Sequence, residues 1–158
     1  MNVAFFLTPK SQTAFLETDD TFRQGLEKMR YHGYTAIPVL DKQGRYVGTL
    51  SEGDFLWHIV DIGGASIEDC EDLHIVDILK PDRNPPLKIT AKANEVVDQL
   101  MSRNFLPVTD DSGAFIGIVT RQKLLAFYKN KQEEKSSAVQ ISERRFFSVK
   151  FGIICGFL

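Results

Sequence analysis

The chain spells one supersecondary unit twice. "YTAIPVLDKQGRYVGTLSEGDF", residues 34–55, holds two apolar runs, Tyr34 to Leu40 and Tyr46 to Leu50, around a polar turn containing Gly44. A hydroxyl and a carboxylate, Ser51 and Asp54, then mark the start of a helix. A weaker copy is spelled by "NFLPVTDDSGAFIGIVTRQKLL", residues 104–125. The spacing is constant over long stretches. Leu7-Thr8-Pro9 matches Leu79-Lys80-Pro81, and Thr18 matches Thr90, both at an offset of 72. Pro38-Val39, Asp41, Gly44, Gly48 and Ser51 match Pro107-Val108, Asp110, Gly113, Gly117 and Thr120 at 69. The change from 72 to 69 places a three-residue deletion between Thr90 and Pro107. A fixed period of this kind is the mark of a unit built twice.

Each copy reads as β-α-β-β-α. The first extended segments are Ala14 to Glu17 and Leu87 to Thr90. Phe22, Leu26 and Met29 give one helix its apolar face, with Asp19 or Asp20 as cap and Gly33 as stop. Val96, Val97, Leu100 and Met101 serve the second copy, capped by Asn94. The closing helices carry Phe55, Leu56, Ile59 and Val60, then Leu124, Leu125 and Tyr128. The strands are apolar almost throughout, so both sheet faces should be covered. The expected class is α/β, with tandem repeats about a pseudo-twofold axis. A copy of about 60 residues is marginal alone, so the two should bury each other's open faces. The expected division is 3–62 for the first copy, 63–75 for a connector and 76–130 for the second copy. Residues 131–158 form a linker and tail, for which an added strand, a partner-contact segment and a remnant foreign to the fold all stay open.

Composition narrows the function classes. The net charge of −2 over 158 residues argues against a nucleic-acid surface. No stretch reaches the roughly 20 apolar residues of a membrane span, and the first seven residues lack a basic n-region. Cys70 and Cys155 show no paired spacing and read as free thiols of a reducing cytoplasm. His32, His58 and His74 have no metal-ligand spacing, and no Walker loop or nucleophile elbow is present. The expectation is a binding protein, not an enzyme, with no resident cofactor or metal.

The strand "TAIPVLD", the Gly-x-hydrophobic-Ser hairpin end of residues 48–51 and their counterparts "LPVTD" and "GIVT" together resemble the CBS domain pair, or Bateman module, over residues 3–130. "GYTAIPVLD" with "TRQKLL" is also similar to stand-alone bacterial CBS pairs that sense cyclic di-AMP. The resemblance implies a regulatory module that binds adenine nucleotides in two clefts between the copies and forms homodimers. A downstream protein partner would read its state.

Asp54 could accept both hydroxyls of a ribose, while the helix start favours a phosphate. The plainer reading is that Ser51 caps the helix and Asp54 complements its dipole. In the second copy Lys123 replaces that carboxylate, and Arg121 is placed to grip a phosphate. A purine wall would come from Thr13, Ala14, Tyr34, Thr35 and Ala36 in copy one. In copy two it would come from Pro86, Leu87, Asn104, Phe105 and Leu106. The resemblance implies crosswise assembly, with one cleft joining the copy-one wall to Thr120 and Arg121. The other joins the copy-two wall, including Phe105, to Ser51 and Asp54. The first is the expected seat, having the aromatic wall and the cations. The alternative is an interaction or structural module whose pockets are empty. The closing helices, including exposed faces of 55–62 and 124–128, are the expected dimer seam.

Overall fold

The computed structural model describes residues 3–64, 66, 68–70, 72–80 and 82–134. They fall into two bodies, 3–121 and 122–134, each taken by itself. The first holds both sheets. One sheet has strand order β2-β3-β4, from Leu16–Glu17, Ala36–Leu40 and Tyr46–Ser51. The other has order β1-β7-β6-β5, from Leu7–Pro9, Phe115–Thr120, Phe105–Thr109 and Leu87–Lys88. The helices are α1 (Phe22–His32), α2 (Glu52–Asp61), α3 (Ile75–Ile78) and α4 (Ala93–Leu100). The second body is a helix over 122–134, carrying an ion pair between Lys129 and Glu133.

The duplication is visible bond by bond. Leu16 pairs with Val39 and Leu87 with Val108, both in parallel. Both hairpins shift register at the same place, after Val39 and after Val108. Asp41 and Asp110 fold equivalent turns by accepting backbone N–H groups. Both carboxyls are held below their usual range, Asp41 chiefly by the Arg45 N–H and Asp110 chiefly by the Ser112 hydroxyl, with the backbone N–H groups adding to it. Arg45 and Ala114, which are 69 apart, bridge each other antiparallel. Around them Tyr46 N–H donates to Gly113 O at 3.3 Å and Phe115 N–H to Gly44 O at 3.0 Å. Only a local twofold axis lets two bonds exchange equivalent partners in this way.

The deletion is divided between two places rather than lying at one. Thr18 N–H bonds Leu40 O, and Ile89 N–H bonds Thr109 O in the same role. The equivalent of Thr18 is therefore Ile89, not Thr90, so one of the three deleted residues precedes β5. The other two are lost at the end of α4, which is shorter than α1 and lacks a glycine stop. In copy one Gly33 sits at φ 65° and closes α1 in the left-handed region, where only glycine is unstrained.

Two caps also differ from expectation. Thr21, not Asp19 or Asp20, caps α1: its hydroxyl accepts from Gln24 N–H while the Gln24 side chain returns to Thr21 N–H at 2.8 Å. Asp20 instead accepts from Glu17 N–H. In copy two the cap position is Lys92, with no side-chain bond, and Asn94 lies inside α4. Thr21→Ala should therefore cost about 1 kcal/mol, read as a lower urea midpoint at unchanged slope. Asp19→Ala, at an exposed ion pair with Lys42, should move that midpoint less than Thr21→Ala does. The reverse order would contradict the assignment.

The copies exchange their leading segments. Ile75 and Ile78 precede the strands of the second copy, yet they lie in the core of the first with Leu16, Phe22, Met29, Ile37, Leu50 and Phe55. Phe22 and Phe55 meet edge to face at 4.9 Å. Gly25 is the close-approach point, since a Cβ there would lie 2.7 Å from Ile75 Cδ1. At the other end, Val3 and Phe6 are fully buried, and β1 adds itself to the edge of the second sheet beside β7. Neither copy completes its core without a piece of chain that leads into the other. Met101, expected on the apolar face of α4, is instead 78% exposed.

Candidate functional site

The two seams between the copies are chemically unequal. On β4 the residues facing the seam are Tyr46, Thr49 and Ser51, whereas the equivalent positions on β7 hold Phe115, Ile118 and Thr120. The consequence is a filled, apolar seam on one side. Phe115 and Ile118 pack with Leu40, Phe105, Phe15, Ala36 and Tyr46. Phe15 meets Phe115 at 6.5 Å.

The other seam is polar. Tyr46 donates to Asn84 O at 2.7 Å and meets the Thr49 hydroxyl at 2.8 Å. Burial pushes the Tyr46 hydroxyl up to about 12, so it stays a donor. Asn84 Nδ2 donates to Thr49 Oγ1 and to Phe105 O, each at 3.4 Å. Asn84 is 8% exposed, and its Oδ1 has no partner among the described residues.

Asp54 sits where this seam meets the start of α2. Its Oδ2 accepts from Ser51 N–H at 2.8 Å and from Ser51 Oγ at 2.6 Å, the capping box that sets the helix start. Its Oδ1 takes the guanidinium of Arg83 and faces Lys80 Nζ at 3.8 Å. The Asp54 side chain is only 2% exposed, while Arg83 and Lys80 are half exposed or more. A buried carboxylate between two partly solvated cations suits a ligand with hydroxyls at one end and negative charge at the other.

The expected site residues separate accordingly. Ser51, Asp54 and Phe105 come together at the polar seam, Phe105 through its carbonyl. Ala36 is the cross-strand partner of Ser51, and Phe105 that of Thr120. Thr13, Ala14 and Tyr34 line a different cavity of about 390 Å³ with Phe15, Lys28 and His32. Thr13 spends its hydroxyl on Pro9 O at 3.0 Å, and Tyr34 lies against His32 at 5.4 Å. Thr35 accepts from Glu52 N–H, as Asn104 does from Arg121 N–H. Arg121 does not stand open for a phosphate: its guanidinium donates to Leu100 O and Arg103 O, closing the end of α4. The expected preference for the first cleft thus meets an aromatic cluster and an engaged arginine.

Sequence reasoning missed Lys80, Arg83 and Asn84. They lie in "KPDRNPP", near the start of copy two, where Lys80 entered only as a repeat match and no candidate site residue was named before Pro86. The signal available was the pair of cations beside a proline-rich turn. Among the described residues no group of His, Cys, Asp or Glu could hold a metal ion, and no helix is long and apolar enough to cross a membrane. Cys70 is buried and free; Cys155 and the rest of the tail lie outside the described residues.

An exchanged-strand pair of β-α-β-β-α units with a polar seam is a tandem CBS architecture. The chain belongs to the CBS domain family, whose model matches residues 9–61 and 75–130. Among curated relatives it is similar to cyclic di-AMP receptor B of Bacillus subtilis, 24% identical over 123 residues, 78% of this chain and 83% of that one. An uncharacterised Methanopyrus kandleri protein is 28% identical over 102 residues, 62% of this chain; the chain spans about half of that relative, 48%. Among solved structures, the Listeria monocytogenes CbpB protein in complex with cyclic di-AMP superposes with a TM-score of 0.75 at 25% identity, over 83% of this chain and 97% of that one.

Proposed function

We propose that this chain is a regulatory sensor that seats an adenine nucleotide at the polar seam, with Ser51 and Asp54 holding the ribose and Lys80 and Arg83 facing the phosphate. The observation that carries this reading is the Asp54 carboxylate, buried in one copy and neutralised by cations from the segment leading into the other. A ligand bound there touches both copies, so it stabilises one relative arrangement that a partner can read. AMP, ATP and cyclic di-AMP are the candidate ligands; the similarity to the Bacillus and Listeria proteins supports the last. The test is a thermal-shift series on the full chain with these three and S-adenosylmethionine. A ligand at a hundredfold excess over its dissociation constant adds about 2.7 kcal/mol of apparent stability. No shift with any of them would favour the interaction module with empty pockets.

A second copy of the chain is the proposed cover for α2. Leu56, Trp57 and Val60 form one apolar strip there, at 57%, 59% and 52% exposure. Trp57→Glu should convert a dimer to a monomer in sedimentation equilibrium while the thermal midpoint of the monomer fold is retained. A wild-type chain still monomeric at about 100 μM, well above a micromolar dissociation constant, would contradict it.

A further inference from the structure

Asp54 Oδ2 is spent on Ser51, so any ribose hydroxyl pair must also take Oδ1, and Oδ1 is where Arg83 already sits. We infer that Arg83 changes partners on binding: without ligand its guanidinium neutralises Asp54, and with ligand it yields Oδ1 to the ribose and closes on the phosphate. This makes Arg83 the residue that discriminates a phosphorylated ligand from a bare nucleoside. The inference rests on the nucleotide reading above.

Three features make the exchange physically cheap. The guanidinium is half exposed, at 50%, so it can swing into solvent without unpacking. The backbone need not move with it. Asp82, at φ 62°, turns the chain, Pro85 and Pro86 stiffen the approach to β5, and Asn84 is tied to Tyr46, Thr49 and Phe105. Lys80 remains near Oδ1, so the buried carboxylate is not left without a cation. The forked guanidinium then finds in a phosphate the bidentate acceptor it gave up. A nucleoside offers no such acceptor and must displace the arginine unaided. Asn84 Oδ1, buried and unpartnered among the described residues, is a second group at this seam that awaits a donor, such as an exocyclic amine.

The experiment is calorimetric titration of the full chain with AMP and with adenosine. Wild type should prefer AMP. In Arg83→Met the adenosine affinity should rise and the AMP affinity fall, lowering the AMP-to-adenosine ratio at least about tenfold, the scale of one charge-assisted hydrogen bond. Arg83→Lys, which keeps the cation but loses the fork, should lower the ratio less. It carries the test if circular dichroism shows Arg83→Met unfolded; an unchanged ratio in Arg83→Lys then overturns the exchange. Equal losses of both ligands in Arg83→Met, or no change in either, also overturn it while leaving the nucleotide reading standing. If AMP fails to bind wild type, the exchange falls, and the nucleotide reading falls with it only if ATP and cyclic di-AMP also leave the thermal midpoint unmoved.

Discussion

Gly117→Ala should lower the thermal midpoint by about 10 °C, the largest effect expected of a single methyl group in this chain. A Cβ at position 117 would lie 2.1 Å from Thr8 O and 3.0 Å from Pro9 Cα. Those are backbone atoms of β1, which pairs with β7 through Pro9 and Gly117. Backbone cannot turn aside as a side chain does, so β1 must leave the sheet. With it goes the register that seats Val3 and Phe6. The cost is about 3 kcal/mol or more, which at 2–4 °C per kcal/mol gives the expected drop. Gly48→Ala is the matched control. It is the equivalent position in copy one, but the nearest atoms to its Cβ would belong to the Leu79 side chain, at 3.0 Å, not to backbone. Leu79 can change rotamer, so the expected cost is below about 1 kcal/mol. Equal effects at 48 and 117 would mean that β1 does not contribute its backbone to the second sheet.

Asp54→Asn should lower nucleotide affinity by about a hundredfold or more. The carboxamide keeps one oxygen for Ser51 N–H, so the start of α2 survives and stability should change by about 1 kcal/mol. The charge is lost, and with it two charge-assisted bonds worth about 1.5–3 kcal/mol each. Titration of folded Asp54→Asn with the best ligand from the thermal series checks this. An affinity within about threefold of wild type would mean that Asp54 is only a helix cap.

The duplication was legible because turns and close approaches admit few residues. Gly44 and Gly113, Asp41 and Asp110, and Pro38 and Pro107 hold equivalent places in both hairpins. The exchange of leading segments was not legible. Ile75 and Ile78 straddle the expected boundary between connector and second copy, and nothing in their spacing says that they share a core with Phe22 and Phe55. The caps were misplaced by one or two residues because Asp19, Asp20 and Thr21 can all serve, and only the tertiary turn at Glu17 chooses. At the proposed site, the pairing of Ser51 with Asp54 was legible because a carboxylate three residues after a hydroxyl is local. Arg83 was missed because it reaches Asp54 from 29 residues away. The expected seat beside Arg121 was chosen without weighing Phe115 and Ile118, which lie on β7, the strand that leads into Thr120 and Arg121, and pack with Phe15 and Ala36.

The most direct measurement of the central claim, that a nucleotide sits at the polar seam between the two copies, is amide hydrogen exchange of the full chain with and without saturating ligand. Exchange should slow together at 50–55, 82–84 and 104–106, three segments distant in sequence that meet at Asp54 and Asn84. Slowing confined to 11–15 and 28–34, around the Tyr34 cavity, or binding with no slowing at the seam, would contradict it.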